Sequence, residues 1–182
     1  MYLLTFQHKI VLNEIINKGK YYCNHVSEYH SLTPKSYDLL ARRLNETANC
    51  QCTTVIFAWQ RLYKSKVLNI SQIERALECT PFNCDDIYLF ELNVPADKVL
   101  LTNFYNFVDL RCQEEGIDDL YPNSGLNEDE KFSRLAQYVF DIDTHDEIQA
   151  VIPSIDCGEV LNIFGVGNDL SLKKINLAHY IK

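Results

Sequence analysis

Glu147-Ile148-Gln149-Ala150-Val151-Ile152 is the stretch on which the fold turns. Its β-branched, mostly apolar run reads as a strand, and Val160 to Phe164 reads as its partner strand. Upstream, helical and extended patterns alternate; downstream, only strands follow. That order predicts an α+β domain around a mixed or split sheet. A parallel doubly wound sheet fits less well, because no Gly-rich turn joins a strand to a helix.

Working back towards the N-terminus, Ile87 to Val94 is a second strong strand, stopped by Pro95, and Lys98 to Thr102 is a further extended piece. Thr53 to Trp59 is β-branched and aromatic, a third strand, and residues 2–7 make a fourth. Between them, Val11, Leu12, Ile15 and Ile16 fall on one helical face, with Glu14 and Lys18 placed for a solvent-side ion pair and Gly19 as the stop. Thr33-Pro34 reads as an N-cap and first helical residue, with Tyr37, Leu40 and Leu44 continuing the helix. Ser71-x-x-Glu74 and Asn127-x-x-Glu130 have the form of capping boxes, and Asn103 to Glu115 reads as a helix ended by Gly116. Residues 20–32 read as irregular, and Asp141 to Glu147 as a solvated turn. No repeat or linker divides the chain, so residues 1–182 are read as one domain.

The 182 residues carry 17 Lys+Arg against 25 Asp+Glu, a formal charge of −8, which disfavours general binding to a phosphate backbone. At 47% hydrophobic and 12% aromatic, the chain has enough apolar surface to fold, which excludes a disordered segment. No window holds the roughly 20 apolar residues needed to span a bilayer. Met1 to Lys9 lacks the pattern of a secretory signal, so a cytoplasmic location is expected. In that setting the seven cysteines are read as reduced thiols. Cys50-Gln51-Cys52 is too closely spaced for a zinc pair; Cys79 and Cys84 have suitable spacing but no counterpart pair, so no metal is expected. A phosphate-cradling Gly-rich loop, a zinc-binding His-Glu-x-x-His helix and a Gly-x-Ser-x-Gly elbow are all missing.

Five segments in order resemble an uncharacterised bacterial domain family: Thr5-Phe6-Gln7 with Gly19 and Tyr21-Tyr22-Cys23; Ser36 to Leu40 with Arg42-Arg43; Val55 to Trp59; Leu92 to Phe104; and Ile148-Gln149-Ala150 with Ile155 and Val160. The chain departs from that family in having Asn103 where an acid is favoured and Phe57 where Trp is favoured. More distantly, the segment order is similar to the ADP-ribosyltransferase fold, a split mixed or antiparallel sheet with flanking helices. The resemblance implies binding of NAD or a related nucleotide as substrate. Thr5 or Gln7 would touch the amide or ribose, Tyr37 or Trp59 would stack, and Arg43 would meet a phosphate. Glu147 or Gln149 would occupy the late-strand position facing the ribose. An oxocarbenium-like transition state needs a carboxylate there, so Glu147 implies transfer of ADP-ribose to an unknown target, or NAD hydrolysis; Gln149 implies binding with weakened catalysis.

Each of these residues also has a packing role open to it. Trp59 and Tyr37 suit a core, and Arg42 and Arg43 suit the polar face of a helix. Gln7 and Gln149 stand out because a buried amide needs partners; bonding to each other would satisfy both. A rival function, a non-enzymatic module of the inhibitor or immunity type, rests on the acidic stretch from Gln113 to Asp119 extended by Glu128, Asp129 and Glu130, which would face a partner with a basic surface.

Overall fold

A computed structural model of the protein describes residues 1–23, 28–61, 77, 86–143 and 147–176. The strand β1 (Tyr2–His8) runs into α1 (Lys9–Lys18), followed by β2 (Lys20–Tyr22), α2 (Glu28–Leu32) and α3 (Pro34–Ala48). Then come β3 (Ile56–Arg61), β4 (Ile87–Asn93), β5 (Leu100–Asn103), α4 (Phe104–Glu115) and α5 (Glu128–Tyr138). The chain closes with β6 (Ile148–Ile152), β7 (Ser154–Asp156), β8 (Val160–Val166) and β9 (Leu172–Ile175).

Seven strands form one sheet in the order β5-β6-β3-β1-β4-β8-β9, while β2 and β7 form a separate two-stranded ribbon. All the strand pairings are antiparallel. The α+β reading therefore holds, and of the mixed and antiparallel forms left open the sheet takes the antiparallel one. The expected pairing of Val160–Phe164 with Glu147–Ile152 does not hold. β8 lies between β4 and β9, and β6 lies between β5 and β3.

Strand alternation sends successive side chains to opposite faces, and here both faces are covered. On one face Leu3, Ala58, Phe90, Ala150 and Ile163 meet Val11, Leu12 and Ile15 of α1, with Tyr21 and Ile155 of the ribbon. On the other, Val151 packs with Tyr37, Leu40 and Leu44 of α3, Phe107 and Leu110 of α4, and Leu135 of α5. A second cluster on that face joins Leu4, Phe6, Trp59, Ile87 and Leu89.

Local chemistry sets the helix ends. His8 caps α1 by accepting from the Ile10 N–H, and Gly19 closes it at φ 73°, its N–H donating to the Ile15 carbonyl. The Lys18–Glu14 ion pair forms at 2.7 Å. Asn103 caps α4, and the capping box of Asn127 and Glu130 opens α5. Thr33 precedes Pro34 as expected, yet its side chain makes no capping hydrogen bond. Instead Glu114, reaching across from α4, accepts from the Lys35 N–H at 2.8 Å, the Ser36 N–H at 2.9 Å and the Ser36 hydroxyl at 2.6 Å. The run read as irregular holds β2 and α2, while the Ser71 capping box, Cys79 and Cys84 lie outside the described residues. No helix among the described residues is long and apolar enough to cross a membrane.

Candidate functional site

Gln149 sits at the middle of β6, opposite Thr102 of β5 on one side and Trp59 of β3 on the other. Directly opposed residues of an antiparallel pair point to the same face, with their Cβ atoms roughly 4.5–5.5 Å apart. Gln149 and Trp59 therefore stand side by side. Trp59 is 8% exposed, and its indole lies 4.9 Å from the Phe104 ring at the start of α4. The Phe104 N–H donates to the Glu147 carbonyl at 3.1 Å, which pins the chain just before β6 against the same helix. Thr102, fully buried, donates to the Gln149 carbonyl at 3.4 Å.

Two side chains at this place break the rule that buried polar atoms are paired. Glu147 is 6% exposed and Gln149 is 8% exposed, yet Glu147 Oε2 and Gln149 Oε1 have no hydrogen-bond partner among the described residues. An unsatisfied buried acceptor costs about 1–3 kcal/mol, more when charged. The protein carries two within two residues of each other, and Gln149 stands beside the Trp59 indole. Glu147, at the junction of the expected turn and the expected strand, is not solvated: β6 begins immediately after it and α4 grips its carbonyl.

The other residues implicated by the resemblance fall elsewhere. Thr5 and Gln7 share the face of Leu3, opposite to that of Leu4, Trp59 and Gln149. They satisfy one another: Gln7 Nε2 donates to Thr5 Oγ1 at 2.7 Å, and Thr5 Oγ1 donates to the Phe57 carbonyl at 2.6 Å. The sheet thus separates Gln7 from Gln149. A single cleft lined by both is not formed, nor do the two amides bond each other.

Tyr37 lies on the Trp59 face but within the helical cluster, its ring stacked 4.9 Å from His30 and edge-on to Phe57 and Phe107. Arg43 is exposed on α3, paired with Glu46 at 3.2 Å and lying over the Phe140 ring. Of the seven residues implicated, the fold gathers Glu147, Gln149 and Trp59. It adds Phe104 and Thr102, which strand register brings in and no local sequence signal could reveal.

The acidic stretch is largely engaged within the molecule. Glu114 caps α3, Glu115 pairs with Arg111 at 3.2 Å, and Lys131 holds Asp119 at 2.9 Å and Glu128 at 3.0 Å. Asp129 meets Lys35 at 2.7 Å. Among the described residues no group of three or more His, Cys, Asp or Glu side chains is arranged to hold a metal ion. Comparison with known proteins gave no match to a family model, to a curated protein or to a solved structure.

Proposed function

We propose that Glu147, Gln149 and Trp59 form the polar end of a small-molecule site, and that the protein is an ADP-ribosyltransferase-like domain taking NAD or a related nucleotide. The observation carrying this reading is the pair of buried, unpartnered acceptors, Glu147 Oε2 and Gln149 Oε1, two residues apart, with Gln149 beside the Trp59 indole. Two acceptors ask for a ligand that brings donors. A nicotinamide riboside end offers them: the carboxamide N–H for Gln149 and a ribose hydroxyl for Glu147, with a flat ring for Trp59.

Glu147 then supplies the chemistry. As the ribose C1′–nitrogen bond breaks, its electron pair leaves with neutral nicotinamide and positive charge develops on the sugar. A carboxylate in a site poor in water stabilises that charge far more than an amide does. A hydroxyl or water next bonds to C1′ and gives up its proton to the carboxylate. Thr5, Gln7 and Arg43 have no part in this site. Both free oxygens lie below the surface, so ligand access requires a covering side chain to move.

The test is thermal stability with millimolar NAD, ADP-ribose and nicotinamide. A ligand at ~100 times its dissociation constant adds about 2.7 kcal/mol of stability. Gln149→Leu should raise the stability of the free protein by about 1 kcal/mol, because it removes an orphaned acceptor, and should abolish the rise with NAD. Gln7→Ala should leave that rise intact, since Gln7 is on the other face. Glu147→Gln should keep binding and lose nicotinamide release. Absence of any shift with all three ligands overturns the reading.

A further inference from the structure

We propose that Cys50 and Cys52 form a dithiol site that exchanges with low-molecular-weight disulfides and closes to a Cys50–Cys52 disulfide. The site is built by the end of α3. Asn49 takes the left-handed conformation at φ 47°, ψ 48°, so the chain turns back on the last helical turn. There the Asn45 amide clamps the loop: its Nδ2 donates to the Cys52 carbonyl at 2.9 Å, and its Oδ1 accepts from the Cys52 N–H at 2.8 Å. The same Oδ1 also faces both thiols, 3.2 Å from Cys50 Sγ and 3.1 Å from Cys52 Sγ.

Three consequences follow from that geometry. The two sulfurs flank one oxygen atom, so a three-residue segment already holds them on the same side of the loop. That oxygen has two lone pairs and three donors aimed at it, one N–H and two S–H, and the two S–H donors are the weaker ones. Little hydrogen bonding is therefore lost when both thiol protons leave. Finally, both cysteines are half-buried rather than sealed in the core, which leaves an approach for a small disulfide.

The two cysteines have different roles. Burial, with Cys50 alongside and Cys23 nearby, pushes the Cys52 thiol up to about 12. Cys52, whose backbone N–H and carbonyl are both held by the Asn45 amide, takes the resolving role, and Cys50 the attacking one. Cys50 loses its proton to solvent and its thiolate attacks one sulfur of the disulfide, whose S–S bond breaks to release a thiolate. Cys52 then attacks Cys50 Sγ, expels the second thiolate and passes its own proton to it. Two protein thiols are oxidised and one small disulfide is reduced to two thiols. This site is remote from the Glu147 chemistry and stands whether or not NAD binds.

The full chain treated with oxidised glutathione, quenched by alkylation and mapped by mass spectrometry tests the assignment. The expected product has lost two hydrogens, keeps no glutathione, and carries the cross-link inside the peptide that contains both Cys50 and Cys52. Cys52→Ser should trap glutathione on Cys50 as a lasting adduct. The proposal is overturned by a lasting adduct on the unmodified sequence with Cys52 still free. It is equally overturned by a disulfide from Cys23 to either cysteine, or by both thiols remaining reduced while other cysteines of the chain oxidise. The mapping of the unmodified sequence decides the matter even if the variant fails to fold.

Discussion

At the scale of single residues, Glu114 shows how a helix start can be completed from a distance. A side-chain acceptor at a helix start satisfies donors that otherwise lack partners, and a carboxylate also complements the positive end of the helix dipole. Thr33 is the local residue suited to this, but Glu114 of α4 does it, holding two backbone N–H groups and the Ser36 hydroxyl at once. Glu114→Ala should cost about 1–2 kcal/mol, at the upper end for a lost cap, read from the urea midpoint. Thr33→Val should cost less through capping, though Arg111 Nε donates to its hydroxyl at 3.2 Å. Residue type alone identified Gln7 and Gln149 as amides needing partners. It could not tell them apart, because one is satisfied by a threonine two positions away and the other is not. Glu147 was legible as a candidate through its spacing from Gln149, whereas its burial was not, since that depends on where α4 docks.

At the scale of elements, β6 carries both the core and the candidate site. All five of its residues are buried, because helices cover one face and α1 with the ribbon cover the other. Ala58 and Ala150 are directly opposed, at 1% and 0% exposed, and leave room only for the side chains already packed above them. Ala150→Leu should therefore destabilise by about 1–3 kcal/mol through overpacking, seen as a lower thermal midpoint with the fold retained by circular dichroism. The long strands and helices were readable because periodicity reports which face is apolar. Partner choice was not. Alternation in Val160–Phe164 is as compatible with β6 as with β4, and the choice is made by contacts far apart in sequence. The short strands β2, β7 and β9 have three or four residues each, too few to show a period.

At the scale of the whole molecule, three groups whose pKa values are raised to about 12, among others raised less far, tie distant parts of the fold to one proton balance. Burial first, then a hydrogen bond to Glu91, pushes Tyr2 up to about 12 at the start of the central strand. The hydroxyl donates to Glu91 Oε1 at 2.9 Å, while Asn162 of β8 donates to the other oxygen at 2.5 Å, so this contact spans three neighbouring strands. Burial also raises Tyr21 in the ribbon and Cys52 beyond α3, each to about 12. In the unfolded chain these groups release protons near their ordinary values of 10.0 for tyrosine and 9.0 for cysteine. A folded state that holds its protons more tightly is favoured below those values and loses that advantage as pH rises towards the folded-state pKa. The contribution of these groups is then constant up to about pH 9, and stability should fall between about pH 9 and about pH 12. Urea midpoints measured across that interval check the sign. Tyr2→Phe should lower stability at neutral pH, because Glu91 loses a donor, yet make the alkaline decline shallower, because one of the protons behind it no longer counts. A decline of unchanged steepness in Tyr2→Phe would remove Tyr2 from that balance and leave the other raised groups, Tyr21, Cys52, Cys112 and the ion-paired lysines, to account for it.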